Sequence, residues 1–241
     1  IECLESIYKM DYENYHVIVI DNASTDDSIE RIKQYARGEL EVNSKFIRYS
    51  KRNKPIKIVE YTNNCVECII AAKSIYQEYP HTRVLILIKN DTNYGFAEGN
   101  NIGIRYAMNV LKPKYILLLN NDVVVDRFFL TELIKVAESD RKIGCVGPKI
   151  CYYDEPHRLQ QVYARRNLYL DIYWKSLYKL DSPCEVDFLL GTAFLIKVEV
   201  IKTIGLLNPL FFLYGEETEW CLRIKRAGYK LIYVPSARVY H

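Results

Sequence analysis

Short apolar runs alternate with helical patterns along most of the chain. Four runs predict buried strands: YHVIVID, IKIVEY, RVLILIKN and KYILLLNN, at 15–21, 56–61, 83–90 and 114–121. Between and after them, apolar positions recur with helical spacing in SIERIKQYA, CVECIIAAKSIYQEY, GFAEGNNIGIRYAMNVL and RFFLTELIKVAES, at 28–36, 65–79, 95–111 and 127–139. Strands that alternate with crossover helices favour a mostly parallel sheet with both faces covered.

The regular alternation of strand and helix patterns stops after Gly144. IGCVGPKICYY predicts a strand interrupted at its Gly-Pro pair, and the polar stretch that follows, up to Pro183, has no clear pattern. Residues 186–205 predict a strand, a turn at Gly191, a second strand and a short helix, and 215–241 predict a helix, a strand and a tail. The absence of a repeat or linker predicts one α/β domain over 1–241, with a small mixed region near its end.

Composition narrows the class of protein. The 241 residues are 49% hydrophobic and 26% charged, which is ordinary for a globular protein with a sizeable core. Lys plus Arg minus Asp plus Glu is 33 − 30 = +3, too small an excess to indicate nucleic acid as a partner. No apolar run reaches the roughly 18 residues of a membrane span.

Seven cysteines are scattered through the chain, and an odd, sparse set does not fit a secreted disulfide framework. Cys65 and Cys68 form a C-x-x-C pair, but no second pair follows at zinc spacing. The pattern favours free thiols in a cytoplasmic protein. The chain opens on Ile1 within a helical pattern, so we expect upstream residues, including a first strand, to be missing.

Two polar clusters follow strands that end at the same edge of the predicted sheet, where open α/β sheets bind ligands. Asp21 ends the first strand, and residues 22–25 lead into a helix; this is either a helix cap or a nucleoside contact. NDTNYGFAEGNNIGI carries Asn93, Asn100 and Asn101 beside glycines that allow close backbone approach. Its glycine spacing matches neither a P-loop nor a dinucleotide fingerprint.

Acidic groups form two further clusters. Asp122 follows the strand LLLNN and is either part of a turn or an oxygen ligand for a divalent cation. Glu216, Glu217 and Glu219 crowd the first turn of the last helix, which suits the helix dipole. The functional alternative is that Glu217 points into the cleft as a general base.

Together these stretches resemble the family 2 glycosyltransferases, in particular the rhamnosyltransferase-like branch. The resemblance lies, in order, in VIVIDNASTDDS, NYGFAEGNNIGI, YILLLNNDVVV and the segment from Gly191 to His241, and it spans nearly the whole chain. It implies a GT-A fold, with a nucleotide-sugar-binding half at 1–150 and an acceptor-side half at 151–241. It also implies inverting transfer from a nucleotide-diphosphate sugar to a glycan or lipid-linked acceptor, with Mg²⁺ or Mn²⁺. Association with a membrane surface stays open.

The resemblance assigns roles to individual residues. Glu217 stands at the position of the catalytic base, and Asp122 and His241 stand at the positions of metal ligands. The residues implied in binding nucleotide or substrate are Asp21, Asn22, Asn93, Gly95, Asn101, Asn121, Gly191, Thr192 and Glu216.

The chain departs from the family pattern in three places. The acidic metal motif retains only its last acid, Asp122; the base is Glu rather than Asp; and an insertion of unknown role spans about 38–83. Two alternatives therefore stay open: a catalytically inactive nucleotide-sugar-binding domain, and a sugar-nucleotide pyrophosphorylase. The second needs a Gly-rich triphosphate loop near its start, which this sequence lacks.

Overall fold

The structure is a computed structural model that describes residues 1–62, 84–160, 163–166, 172–175 and 181–241. Its helices are α1 Glu2–Ile7, α2 Ser28–Arg37, α3 Gly95–Tyr106, α4 Phe129–Ser139, α5 Val198–Ile204 and α6 Glu216–Arg226. Its strands are β1 Val17–Asp21, β2 Lys57–Thr62, β3 Val84–Lys89, β4 Tyr115–Leu119, β5 Val124–Val125, β6 Ile143–Cys151, β7 Tyr163–Arg166, β8 Ile172–Lys175, β9 Cys184–Val186, β10 Ala193–Lys197 and β11 Lys230–Tyr240.

The first sheet has three parallel strands in the order β1-β3-β2. β3 lies in the middle, and the side chains of its sequence VLILI are buried on both faces, as expected of a central parallel strand. Helix α3 packs on this sheet through Ile104 and Ile102, and α2 packs on it through Tyr35 and Ala36. This is the doubly covered parallel arrangement that the apolar runs predict.

The second sheet has the order β4-β10-β6-β11-β5, with β9 also paired to β11. Only β6 and β11 are parallel; β10 runs antiparallel to β4 and β6, and β5 and β9 run antiparallel to β11. The prediction of a mostly parallel sheet therefore holds for the first sheet, whereas the second sheet is mixed. The physical reason is that no crossover helix precedes β9, β10 or β5 among the described residues.

Several element boundaries differ from the sequence-based ones. β6 is one strand from Ile143 to Cys151, but its parallel pairing with β11 is irregular at the Gly-Pro pair, since Pro148 pairs with Val234 and Lys149 with Arg238. The predicted strand at 186–190 is a regular strand only as far as Val186; Phe188 makes a single bridge beyond it, and Phe188 and Leu189 are both buried. The helical pattern at 95–111 is helical throughout, but its last five residues, Ala107–Leu111, form a π-helix.

Some predictions concern residues beyond those described. The helix predicted at 65–79, with its C-x-x-C pair, lies outside the described residues. Within the described ranges, Cys3, Cys145, Cys151, Cys184 and Cys221 form no disulfide. Among the described helices, none combines the length and the apolar character that crossing a bilayer requires.

Candidate active site

Asn22 organises the first part of the site. Its amide group donates to the Asn93 side chain (2.8 Å) and to the Gly95 carbonyl (3.0 Å). Its side-chain oxygen accepts from the Asn90 side chain (3.0 Å) and from the Tyr94 backbone N–H (3.1 Å). These four bonds use the whole hydrogen-bonding capacity of an amide. Asn22 therefore holds the 90–95 loop against the end of β1, a role different from the ligand contact expected from the sequence.

Asp21 precedes this network and is buried at the carboxyl end of β1. Its carboxylate accepts a long hydrogen bond from the Ser24 N–H (3.4 Å), and its carbonyl accepts from the Asn90 N–H (2.9 Å). The next residue but one, Ala23, has a left-handed φ of 61°, which turns the chain sharply away from the sheet edge. The carboxylate thus lies at the edge where the sequence places the nucleoside contact.

Gly95 brings the 90–95 loop against the loop at 208–215. A Cβ on Gly95 would stand 2.5 Å from the Phe212 carbonyl oxygen, and that oxygen accepts from the Phe96 N–H at 2.7 Å. Because φ is +75° at Gly95, both the backbone conformation and the contact require glycine. Gly95 therefore joins two chain segments more than a hundred residues apart and leaves no room for a side chain between them.

Asn101 makes a second connection between the same two regions. Its side chain donates to the Leu207 carbonyl (2.9 Å) and accepts from the Leu207 N–H (3.0 Å), and it also donates to Glu98. It is 1% exposed. The geometry thus gives Asn101 an anchoring role for the start of the 208–215 loop and offers no support for the substrate contact expected from the sequence.

The 208–215 loop leads directly into α6. It exposes four large apolar side chains: Leu210, Phe212, Leu213 and Tyr214. Tyr214 has a φ of +70° and Gly215, which precedes the first residue of α6, a φ of +96°. The two left-handed residues reverse the chain so that Glu216 and Glu217 enter the first turn of the helix.

Both of these glutamates are withdrawn from solvent. Glu216 is 3% exposed, and burial, with a contribution from the Glu217 charge, raises the pKa of its carboxyl. The Oε2 atoms of Glu216 and Glu217 are buried and accept no hydrogen bond from any residue in the described part of the chain. Glu219, in the same turn, instead forms a two-point ion pair with Arg223. The first turn therefore holds two carboxyl groups whose buried oxygens could meet a ligand.

Gly191 and Thr192 connect Glu217 to the acidic turn after β4. A Cβ on Gly191 would lie 3.6 Å from the Glu217 carboxyl carbon, so the glutamate side chain packs directly on Gly191. The neighbouring Thr192 carbonyl accepts from the Asn120 N–H at 3.0 Å. Asn121 and Asp122 follow as an exposed turn. These contacts bring Glu217 and the Asn120–Asp122 turn to one edge of the second sheet.

His241 meets Asp122 at this edge. Its Nε2 lies 3.4 Å from Asp122 Oδ1, and its Nδ1 lies 2.9 Å from Gln160 Oε1. When Nδ1–H donates to Gln160, Nε2 carries the lone pair and faces the carboxylate. The backbone of His241 is held on both sides, because its N–H donates to Cys151 O and its carbonyl accepts from Tyr153 N, each at 2.9 Å.

The pair suits a divalent cation that is shared with a substrate. Among the residues described, no group of three or more His, Cys, Asp or Glu side chains is arranged to hold a metal ion. Mg²⁺ and Mn²⁺ sites at phosphates need only one or two protein ligands, since phosphate oxygens and water complete the coordination. A carboxylate and an imidazole whose other nitrogen is bound by a carboxamide fit such a site.

Sequence reasoning missed three contributors to this site. Gln160 lies in the polar stretch that has no periodicity, Asn90 is the last residue of a predicted strand, and Phe212 contributes only its carbonyl. The one signal in the sequence was the run of polar residues after each strand. These runs mark the edge of the sheet, but they do not show which residues contact each other.

Comparison with family profiles covers nearly the whole chain. The profile described as glycosyltransferase like family 2 matches residues 49–241, and the profile described as glycosyl transferase family 2 matches residues 1–57.

Three curated proteins are similar over more than half of the chain. The low-salt glycan biosynthesis hexosyltransferase Agl10 of Haloferax volcanii is 29% identical over 141 residues, which are 58% of this chain and 46% of that protein. The rhamnosyltransferase WbbL of Escherichia coli is 26% identical over 163 residues, 61% of each chain. The dTDP-rhamnosyl transferase RfbF of Shigella flexneri is 24% identical over 152 residues, 62% of this chain and 49% of that protein. The chain thus spans about half to three fifths of their lengths.

Among solved structures, the crystal structure of GalNAc-T7 with UDP, GalNAc and Mn²⁺ matches with a TM-score of 0.55. It is 22% identical, and the match covers 71% of this chain and 34% of that one. A likeness at this identity concerns the fold alone, and it confirms the GT-A fold expected from the sequence.

Proposed function

The chain belongs to family 2 of the glycosyltransferases, and from this premise we propose that it transfers a sugar from a nucleotide-diphosphate donor to an acceptor hydroxyl with inversion. The names of the similar curated proteins, a hexosyltransferase and two rhamnosyltransferases, favour a hexose or deoxyhexose as the transferred group. The acceptor is a glycan or a lipid-linked sugar, and Mg²⁺ or Mn²⁺ is the cofactor.

One observation carries the proposal. A proton acceptor, Glu217, and a pair that suits a cation, Asp122 and His241, lie at one sheet edge, connected through Gly191, Thr192 and Asn120. Inverting transfer needs both parts close together, since the acceptor loses its proton as the diphosphate leaves the anomeric carbon from the opposite face. Asp21 lies at the carboxyl end of β1 in the first sheet, and its carboxylate suits a ribose or base contact.

Asp122 and His241 would hold the cation, and Gln160 would fix the imidazole with Nε2 towards it. When bound, the cation supplies neutralisation of the charge that develops on the leaving diphosphate. The chain itself keeps His241 in place through its two backbone hydrogen bonds and its ring contact.

Glu217 would accept the proton of the attacking hydroxyl. Its side chain is positioned by packing on Gly191, and its Oε2 accepts no hydrogen bond within the described residues, so a ligand hydroxyl would meet a desolvated oxygen. Burial raises the pKa of the neighbouring Glu216, and its Oε2 likewise accepts no hydrogen bond within the described residues, so Glu216 would contact the ligand beside the base.

The test is a transfer assay on Glu217→Gln with Glu219→Gln as its matched control. Both variants remove a carboxylate charge from the first turn of α6, but Glu219 is paired with Arg223. A positioned base contributes about 10²–10⁴-fold to rate, so Glu217→Gln should lose that factor in kcat and keep its affinity for the donor. Glu219→Gln should stay within a few-fold of the wild type.

The assay would use dTDP-, UDP- and GDP-sugars with Mn²⁺, and would measure release of nucleoside diphosphate with and without acceptor. Equal turnover by the two variants would remove Glu217 as the base. Donor binding by the wild type without any turnover would favour the alternative of an inactive nucleotide-sugar-binding domain.

A further inference from the structure

The insertion that begins after α2 leaves the body of the protein and returns to it at nearly one point. Helix α2 ends at Arg37 and is capped by Gly38, which has a left-handed φ of 80° and donates its N–H to Tyr35 O. The excursion Gly38–Lys54 closes where it started, since a Cβ on Gly38 would lie 3.3 Å from the Lys54 Cβ. Residues 38–54 therefore form a closed loop projecting from the first sheet.

The base of this loop is fastened by a buried carboxylate. Glu5 of α1 is fully buried and accepts hydrogen bonds from the Lys54 ammonium (3.2 Å), the Tyr35 hydroxyl (2.9 Å) and the Ser50 N–H (3.2 Å). The Lys54 ammonium also lies 3.8 Å from the centre of the Tyr35 ring. These contacts hold the base of the loop against α1 and α2. The position of the loop's tip relative to those helices is therefore also restricted.

The tip reaches across to the second sheet, beside the proposed metal pair. The Phe46 ring stacks on Tyr240 with centroids 3.9 Å apart and meets Tyr153 edge to face at 5.1 Å. Lys45 adds an ion pair to Asp154 at 2.6 Å. The hydroxyl of Ser44 accepts from the Phe46 N–H, which fixes the backbone turn that presents the ring.

The two tyrosines that Phe46 contacts flank the backbone of His241. Tyr240 is its preceding residue, and the Tyr153 N–H donates to the His241 carbonyl at 2.9 Å. The Tyr153 hydroxyl is itself held by Glu2 of α1 at 2.9 Å. Phe46 therefore packs against both sides of the short segment from which the His241 imidazole extends towards Asp122.

From these contacts we propose that the excursion Gly38–Lys54 is a positioning element, in which Phe46 fixes the direction of the His241 imidazole. The inference rests on the proposed function for its purpose, since His241 is a metal ligand only if that proposal holds. Phe46 itself contacts no substrate; it acts through Tyr153 and Tyr240. The loop would thereby couple the nucleotide side of the molecule to the cation site.

The experiment compares Phe46→Ala, Phe46→Tyr and two controls in the whole protein. Glu39→Gln removes an exposed ion pair at the base of the same loop, away from Tyr153 and Tyr240, and Val110→Ala removes partly buried apolar surface from the far side of the first sheet. Mn²⁺ alone is titrated and the free ion is followed by electron paramagnetic resonance. The ring nitrogens of the 4 histidines are followed by ¹⁵N NMR in metal-free protein.

We expect Phe46→Ala to weaken Mn²⁺ binding by roughly 10–100-fold, the range seen when groups that orient metal ligands are removed. The ¹⁵N resonances of His241 should move towards those of an exposed, tautomer-averaged imidazole, because its Nδ1 bond to Gln160 loosens. Phe46→Tyr should restore both readouts, since it keeps the stacked ring. Glu39→Gln and Val110→Ala should change neither by more than about two-fold.

The idea is overturned if Phe46→Ala leaves the His241 resonances unchanged, or if Val110→Ala alters them equally. A protein that transfers no sugar but whose His241 still responds to Phe46→Ala would refute the proposed function and leave the positioning role standing.

Discussion

Gly95→Ala offers a quantitative test of how the site is assembled. The added methyl group meets two obstacles: a backbone φ of +75°, and the Phe212 carbonyl oxygen 2.5 Å from the new Cβ. Real Cβ atoms do not approach an oxygen so closely, so the 208–215 loop has to move. Its movement breaks the hydrogen bond from the Phe96 N–H to that carbonyl.

The magnitude follows from three contributions. A left-handed conformation costs an alanine about 1–2 kcal/mol, an overpacked contact about 1–3 kcal/mol, and a lost hydrogen bond about 0.5–1.5 kcal/mol. The variant should therefore lose about 3–6 kcal/mol of unfolding free energy. Gly228→Ala is the matched control, because Gly228 has a φ of +86° and no atom lies within 4 Å of the place its new methyl group would take; only the about 1–2 kcal/mol of backbone strain applies there.

Urea denaturation of both variants measures the difference, which should be about 2–4 kcal/mol. A transfer assay then reports the functional effect: displacing the loop shifts the Glu217 carboxylate, and a misplacement of about 1 Å can lower the rate about 10²-fold. Gly228 lies at the other end of α6, so Gly228→Ala should retain the wild-type rate. Equal destabilisation by the two variants, or full activity of Gly95→Ala, would refute the reasoning.

Two further predictions concern buried carboxyl groups. Lys54→Met removes the nearer of the two cations beside the buried Glu5 carboxylate and leaves Lys9 at 3.7 Å, so it should reduce the unfolding free energy by up to about 3–5 kcal/mol. Glu5→Leu combined with Lys54→Met should recover part of that loss in urea denaturation, and a double variant no more stable than the single one would contradict this. Burial raises the pKa of Glu216 above its usual 4.5, so the stability linked to its proton is present below that pH and is lost as the pH rises through the folded-state pKa. Glu216→Gln should therefore give a flatter dependence of unfolding free energy on pH above 4.5 than the wild type, and parallel curves would show that Glu216 is not the titrating group.

The strands and helices that bury the most apolar surface were predictable from the sequence. β3 has five consecutive buried residues, and no surface helix or loop offers that environment. The same signal misleads at 186–190, where the strand ends at Val186 although Phe188 and Leu189 beyond it are buried. An apolar run indicates that its residues are buried. It does not show whether their backbone pairs with a neighbouring strand.

The candidate site was predictable as a region but not as a set of contacts. Asn22 and Asn101 stand at the expected sheet edge, and by composition each could bind a ligand as well as protein. Their partners lie about 70 and 106 residues away along the chain. Local spacing cannot specify such partners, because they are set by the tertiary packing of the two loops.

The two proposed metal ligands differ in how firmly they are held and in how exposed they are to water. This difference affects which form of the cation the site would bind. The His241 side chain is 23% exposed and is fixed by its backbone bonds, by Gln160 and by the packing around it. The Asp122 side chain is 66% exposed on a turn, so water competes for its carboxylate. One fixed ligand and one solvated ligand make a weaker site for a bare cation than for a cation that already carries phosphate oxygens. The arrangement thus favours a cation–diphosphate unit over the free ion, which is the form that a nucleotide-sugar donor would present.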